Sequence, residues 1–236
     1  MSEQKTASNS YKKLFSNTII FAIGQFSSKI LVLLLVPIYT YAMSDAEFGI
    51  TDVIVQMANW LVPIVSLTVS ESITRYGLDK DYDKASVFTI GNIANISGLV
   101  LLGIFLPFVA STSFVHKFID NYSVLLYIYV ATSSLKLLYS YFVRALEMVK
   151  LYAVCSIFTT FSTLILTILF LLVFKIGVTG YLLAIIISDL ASIIFLIYMA
   201  RLWRFVKFKN LDKSLAKQML KYCIPLIPAQ LLWLIT

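Results

Sequence analysis

Three ionisable side chains lie near the middle of long apolar stretches, where their chemistry needs an explanation: Lys29, Lys136 and Asp189. A charge that faces lipid at the centre of a bilayer costs about 3 kcal/mol or more, so we expect each one to face a protein interior or a water-filled cavity. The lysines are then candidate ligands for an anion. Alternatively, Asp189 is their structural counter-ion in a closed salt bridge. Two lysines and one aspartate leave one positive charge over.

A polar stripe accompanies these charges. Residues at spacings of three and four follow one helix face: Asp52, Gln56, Asn59, Pro63, Ser66, Ser70 and Thr74. A helix that faces lipid would not keep such a stripe, so we predict that it lines a cavity. The candidate substrate-binding residues are Lys29, Lys136, Asn59, Gln56 and Gln25.

Further polar stripes predict packing or pairing. Two runs have helical spacing: Ser133, Lys136, Ser140 and Arg144, and then Ser156, Thr160, Thr163 and Thr167. For the second run, hydrogen bonding within and between helices is the favoured interpretation. Glu71 and Arg75 are four apart, which favours a local helix-stabilising pair over substrate contact. With Asp189, they are the candidate coupling or counter-ion residues.

Enzyme chemistry finds little support in the sequence. The single histidine, His116, has no second histidine or cysteine near it, and Cys155 and Cys223 lack the spacing of a metal site. No glycine-rich phosphate loop is present. We therefore expect a protein that is not an enzyme and that needs no metal or cofactor.

The composition predicts the elements that position these residues. The chain is 60% hydrophobic and 13% charged, with a mean hydropathy of +0.89, which is typical of an integral membrane protein. Apolar runs longer than about 18 residues predict α-helical spans and an all-α fold. The net charge of +7 is explained by basic loops beside anionic lipid, so nucleic-acid binding is not implied.

Six spans and the beginning of a seventh are predicted. A tail at residues 1–14 precedes a six-helix lobe at residues 15–200, a basic amphipathic linker at 201–217 and a seventh helix that starts at 218 and stops at 236. The spans are expected near residues 15–42, 51–75, 87–110, 122–146, 151–174 and 177–200. Between the first two, Ser44 and Glu47 have the spacing of a capping box, which predicts a short interfacial helix that Gly49 ends. Pro37 and Pro63 are candidate hinges or simple kinks.

The distribution of basic residues predicts the orientation. Most of the nineteen lysines and arginines fall in the tail, in the two loops near residues 75–84 and 144–150, and in residues 201–221. Only Lys117 and Lys175 fall in the opposite turns. Because basic loops stay in the cytoplasm, we predict that the N-terminus and the linker are cytoplasmic.

Several short segments resemble one family. They are SKIL at residues 28–31, VPIYT at 36–40, MSDAEFG at 43–49, ESITRY at 71–76 and KYCIPLIPAQ at 221–230. They are similar to the N-terminal half of the polysaccharide transporter family, the O-antigen or lipid-linked oligosaccharide flippase branch of the multidrug, oligosaccharidyl-lipid and polysaccharide exporter superfamily. The resemblance implies one half of a two-lobe exporter fold in a bacterial inner membrane.

The same resemblance implies a function. Such proteins move undecaprenyl-pyrophosphate-linked oligosaccharide, the repeat unit of O-antigen in lipopolysaccharide or of another surface polysaccharide, to the outer leaflet by alternating access. The implied partners are this polyprenyl-pyrophosphate-linked glycan, anionic membrane lipids, a polysaccharide polymerase and a chain-length regulator. Two alternatives stay open: a cation-coupled multidrug exporter in which Asp189 is an ion ligand, and a membrane-bound polysaccharide polymerase or glycosyltransferase.

Overall fold

Regular structure is helical throughout the part of the chain that the computed structural model describes, which is residues 33, 35–110, 120–207 and 211–233. The helices are α1 (Asp45–Val65), α2 (Val69–Leu78), α3 (Lys84–Ala110), α4 (Ser123–Ala145), α5 (Val149–Ile168), α6 (Gly177–Ala200), α7 (Lys213–Cys223) and α8 (Leu226–Trp233). A π-helical turn, Leu169–Val173, extends α5. Two short 3-10 turns occur at Asp120–Tyr122 and Leu202–Phe205.

Five segments in the described residues are long and apolar enough to cross a membrane. They are Asp45–Val65, Lys84–Leu106, Ser123–Ala145, Val149–Val173 and Gly177–Ala200. This confirms the prediction of an all-α, multi-pass membrane protein. Most of the predicted first span lies outside the described residues, and its last residues, 35–42, are helical.

The turn after the first span differs from the prediction. Ser44 does cap the next helix: its Oγ accepts a hydrogen bond from the Glu47 amide at 3.4 Å, and Glu47 Oε2 accepts one from the Ser44 amide at 2.9 Å. The helix does not end at Gly49, however, and α1 continues to Val65. One glycine costs a helix only about 1 kcal/mol, which the apolar residues that follow offset by packing.

The predicted second span is not one helix. It divides into α1 and α2 at residues 66–68, where Leu67 and Thr68 have φ angles of 50° and 51°. Pro63 lies just before this interruption and has no N–H for the helical ladder. The Thr68 amide then donates to the Pro63 carbonyl oxygen at 3.1 Å, five residues back. The predicted continuous stripe from Asp52 to Thr74 is therefore broken in the middle.

Helix α4 is the centre of the bundle, because it packs against α1, α2, α3, α5 and α6. Its two ends belong to different apolar clusters. One cluster contains Phe142 and Leu138 of α4 with Leu196 of α6, and the other contains Leu126 and Val130 of α4. Between the two clusters, α4 and α6 carry polar residues, and we call this level the polar layer. Its members are Ser133, Ser134, Lys136, Ser188, Asp189 and Ser192.

The loops at 79–83, 146–148 and 201–207 meet at one end of the bundle, which we call the basic end. There Lys207 Nζ lies 3.2 Å from Asp83 Oδ2. Partial burial raises the pKa of Asp83, but the Ser86 hydroxyl and the Lys207 ammonium outweigh it and hold that pKa below its usual range. Helix α7 packs against α2 at this end. It begins at Lys213, within the predicted linker, and continues past residue 217, where that linker was predicted to end. The predicted division into domains stays a prediction.

Candidate functional site

A cavity of about 350 Å³ opens beside the polar layer, between α1, α4, α5 and α6. Its lining combines an amide, hydroxyls, phenol rings and one ion pair. The residues are Ala58, Asn59, Val62, Pro63, Tyr129, Ser133, Lys136, Leu137, Ser140, Tyr141, Tyr152, Ser156 and Asp189. Such a mixture of polar groups and aromatic faces can bind a polar organic ligand in a fixed orientation.

The ion pair joins α4 to α6. Lys136 Nζ donates to Asp189 Oδ1 at 2.7 Å, and Ser133 Oγ donates to Asp189 Oδ2 at 2.6 Å. Ser133 and Lys136 are three apart on α4, so one helix face presents both donors to the carboxylate. Both oxygens of Asp189 are thereby occupied.

The two charges differ in their access to the cavity. The Asp189 side chain is 4% exposed, whereas the Lys136 side chain is 29% exposed. An ammonium has three N–H donors, and the Asp189 carboxylate takes only one of them. Lys136 can therefore offer its other donors to a ligand in the cavity while Asp189 stays buried behind it. The lysine is both paired and available.

Hydrogen bonds between hydroxyls continue the polar layer towards α5. The oxygens of Thr159 and Ser192 are 2.6 Å apart, and the Thr163 hydroxyl donates to Ser188 Oγ at 2.7 Å. Ser156 and Thr160 instead donate to carbonyl oxygens of their own helix. This agrees with the interpretation of the α5 hydroxyls as packing groups, although Ser156 also lines the cavity.

A second cavity of about 520 Å³ adjoins the first, since Pro63 and Tyr141 line both. The Gln230 side chain, on α8, donates to Glu71 Oε1 at 3.3 Å. The Arg75 guanidinium lies 4.5 Å from the ring centroid of Tyr222, on α7. The predicted local pair of Glu71 with Arg75 is wrong for this structure, because the ion pairs among the described residues do not include it.

The structure brings only some of the predicted site residues together. Asn59, Lys136 and Asp189 come together at the first cavity. Gln56 is exposed on α1 and is not part of the lining. Lys29, Gln25 and His116 lie outside the described residues, so their predicted roles stay predictions.

The cavity lacks some residues that were predicted to line it and contains others that were not predicted. Ser66 and Ser70 were expected to line the cavity, but they are 1% and 2% exposed and belong to the packed interior. Tyr129, Tyr141 and Tyr152 do line it. Tyr129 lies four residues before Ser133 on α4, so extending that polar stripe by one turn would have found it.

Metal binding finds no support in the part of the chain that the structure describes. Within the described ranges, no group of three or more His, Cys, Asp or Glu side chains could hold a metal ion. The chemistry that the cavity offers is hydrogen bonding, aromatic contact and a single cation.

Comparison with known proteins adds a family and a fold. A family model described as "Polysaccharide biosynthesis protein" matches residues 14–236. No curated protein gives a match.

Several solved structures share the fold. An outward-facing multidrug resistance MATE family transporter of the MOP superfamily gives a TM-score of 0.73 at 16% identity, covering 90% of this chain and 51% of its own. A mutant of the MATE transporter VcmN from Vibrio cholerae gives 0.73 at 21% identity, covering 96% and 55%. A MOP superfamily transporter from Pyrococcus furiosus gives 0.71 at 16%, covering 90% and 51%. The chain therefore has the fold of one lobe and spans about half the length of these transporters.

Proposed function

The chain belongs to the polysaccharide biosynthesis protein family, whose model covers residues 14–236, and on this basis we propose that it forms the first lobe of a membrane transporter for a lipid-linked oligosaccharide. Its fold, one lobe of a MOP superfamily transporter, supports this proposal. A second lobe of similar size would close the cavity from the other side. The two lobes would then expose it to each face of the membrane in turn.

The observation that carries the proposal is the ammonium group of Lys136 at the cavity wall. A pyrophosphate that crosses the hydrocarbon region needs a cationic partner, because an unpaired charge there is costly. Lys136 supplies one at the polar layer, partly exposed to the cavity and held in place by Asp189. Lys29, on the predicted first span, is the proposed second cation.

The remaining lining suits the sugar part of such a substrate. Hydroxyls and amides such as Ser140 and Asn59 can exchange hydrogen bonds with sugar hydroxyls, and the flat rings of Tyr141 and Tyr152 can pack against the apolar faces of a pyranose. The proposed substrate is a polyprenyl-pyrophosphate-linked repeat unit of O-antigen or another surface polysaccharide. The proposed location is the bacterial inner membrane, with a cytoplasmic N-terminus. Anionic lipids, a polymerase and a chain-length regulator are the proposed partners.

The geometry favours Asp189 as the counter-ion of Lys136. It does not favour Asp189 as a ligand for a coupling ion or for an exported cation. Its two oxygens already accept hydrogen bonds from Lys136 and Ser133. A cation at Asp189 would first have to displace the ammonium at 2.7 Å. This weakens the alternative of a cation-coupled multidrug exporter that uses Asp189.

Substitutions at the chromosomal locus of the source organism test the proposal. The neutral pair Lys136→Met with Asp189→Asn removes the cation without leaving a buried charge, so we expect normal protein levels in the membrane, loss of surface glycan and accumulation of the lipid-linked repeat unit. Lys150→Met, which removes an exposed lysine at the basic end, is the matched control and should export normally. Normal surface glycan in the neutral-pair strain would refute the role of Lys136.

A further inference from the structure

The second cavity lies on the side of the first cavity that faces the basic end of the bundle. Its lining comes from α1, α2, α4, α7 and α8. Tyr141, on its wall, is five residues past Lys136 along α4, which is about 7.5 Å further towards the end of that helix at Ala145. Pro63 and Tyr141 line both cavities. A ligand too large for the first cavity, of about 350 Å³, would therefore extend into the second, of about 520 Å³.

The polar part of the second cavity is a carboxylate beside an amide. Gln230 Nε2 donates to Glu71 Oε1 at 3.3 Å, which links α8 to α2. A carboxylate has about four acceptor positions, and an amide has two N–H donors and a carbonyl oxygen. One hydrogen bond between the two groups leaves acceptors on both of them and a donor on Gln230. Such a pair can exchange hydrogen bonds with neighbouring hydroxyls of one ligand.

The charges around the second cavity favour a neutral ligand. Glu71 is the one charged side chain among the described residues of the lining, so an anionic ligand would meet a carboxylate. An organic cation would be drawn to a carboxylate and aromatic rings. However, the Arg75 guanidinium already lies 4.5 Å from the centroid of the Tyr222 ring, and that of Arg144 lies 5.6 Å from the centroid of Tyr141. These two cations repel a third.

The apolar part of the second cavity consists of a ring and short aliphatic groups. Tyr222 on α7 contributes the ring, and Leu226 and Ala229 on α8 contribute the aliphatic surface. A pyranose has hydroxyls at its edge and C–H groups on its faces, so it needs both kinds of wall. The volume lies within the range of ligand sites, which is about 300 to 1,000 Å³.

We propose that the second cavity binds neutral sugars of the transported glycan, with Glu71 and Gln230 hydrogen-bonded to ring hydroxyls and Tyr222 packed against a pyranose face. The first cavity then holds the pyrophosphate near Lys136 and the sugar attached to it, and the second holds the sugars that follow. This inference rests on the proposed function, because it assigns a further part of the same substrate. It makes the second cavity the place where the protein distinguishes one glycan from another.

Two lipids that differ only in the length of their glycan test this assignment. They are the complete lipid-linked repeat unit and the same polyprenyl pyrophosphate with only its first sugar, and both are titrated into the purified protein in detergent. We expect the wild type to bind the complete unit about tenfold more tightly, because only that lipid reaches the second cavity. In the variant Glu71→Gln with Gln230→Ala, the ratio of the two Kd values should fall to about twofold or less, while the Kd for the one-sugar lipid stays unchanged.

Two further variants separate sugar binding from a general effect on the fold. Ala229→Phe narrows the second cavity without removing a polar group, and it should also reduce the preference for the complete repeat unit. Glu147→Gln with Gln218→Ala is the matched control, because both residues are exposed and neither lines either cavity. The control should keep the preference of the wild type.

The outcomes that contradict the inference differ from one another. If neither lipid binds to the wild type, the proposed function fails and the inference fails with it. If the wild type binds both lipids equally, or if the variant of Glu71 and Gln230 keeps the preference, only the assignment of the second cavity is overturned. Binding of tetraphenylphosphonium that Glu71→Gln abolishes would assign the cavity to organic cations and would also overturn it.

Discussion

Thr68 connects the interruption between α1 and α2 to the one between α7 and α8. Its hydroxyl donates to the Cys223 carbonyl oxygen at 3.2 Å, and Cys223 Sγ lies 3.7 Å from the Thr68 carbonyl oxygen. Helix α7 ends at Cys223, and Pro225 prevents its regular continuation into α8. Two broken helices that are far apart in the sequence are therefore joined at their breaks.

Replacing Thr68 by valine should loosen this junction. Valine keeps the shape and the β-branch but leaves the Cys223 carbonyl without its donor, at a cost of about 1 to 2 kcal/mol. In a Cys155→Ala background, we expect Cys223, which is buried in the wild type, to react faster with a maleimide. The control is Thr74→Val, whose hydroxyl bonds only within α2. Equal labelling rates in wild type and Thr68→Val would show that the hydrogen bond does not hold α7.

The pair of Lys136 and Asp189 should respond unequally to loss of either partner. Lys136→Met strands a carboxylate that is 4% exposed, so we expect about 3 to 5 kcal/mol of destabilisation. Asp189→Asn leaves an ammonium that reaches the cavity and its water, so its cost should be much smaller. The double variant should recover most of the stability of Lys136→Met. Thermal unfolding in detergent measures the stability of all three variants. Similar losses of stability in the two single variants would contradict the inference that Asp189 is buried more deeply than Lys136.

Cysteine accessibility distinguishes residues of the cavity wall from residues of the packed interior. In a chain without native cysteines, Asn59→Cys and Ser140→Cys should react with small water-soluble methanethiosulfonates, because both positions line the first cavity. Ser66→Cys and Ser70→Cys should not react, because those residues are buried. Similar reactivity at Asn59→Cys, Ser66→Cys and Ser70→Cys would support the continuous stripe that the sequence predicts.

Alanine substitutions at two helical glycines should have opposite effects on the stability of the protein. A Cβ at Gly98 would clash with the Val65 backbone, which cannot move aside as a side chain can, so Gly98→Ala should cost about 1 to 3 kcal/mol or more. Nothing lies within 4 Å of a Cβ at Gly49, and alanine should there stabilise α1 by about 0.5 to 1 kcal/mol. Unfolding temperatures of the two variants should shift in opposite directions.

The spans and the central ion pair were predictable because their signals are local and strong. Long apolar runs define α3 to α6, and α6 agrees with the predicted bounds, 177–200. Lys136 and Asp189 each lie near the middle of a span, and α4 and α6 run in the same direction because one span separates them, so both residues reach one depth. The sequence could not choose between Lys29 and Lys136 as the partner of Asp189, since that depends on which helices are adjacent.

Pro63 predicts a hinge or a kink just before the interruption, but residues 66–68 themselves carry no signal of a break. Ser66, Leu67 and Thr68 contain neither glycine nor asparagine, the residues that usually adopt left-handed angles. The contact of Gly98 with Val65 favours the break through tertiary packing, which no local pattern reports.

The predicted pairing of Glu71 with Arg75 failed for a related reason. Among their contacts are Gln230 and Tyr222, more than a hundred residues later in the sequence.

The polar layer fixes the register of α4 against α6. Sliding either helix by one turn, about 5.4 Å, would separate Asp189 from both of its donors and bury its charge unpaired. We therefore expect α4 and α6 to resist sliding past each other. If the lobe bends, we expect it to bend where the helical ladder is already open, at residues 66–68 and 224–225.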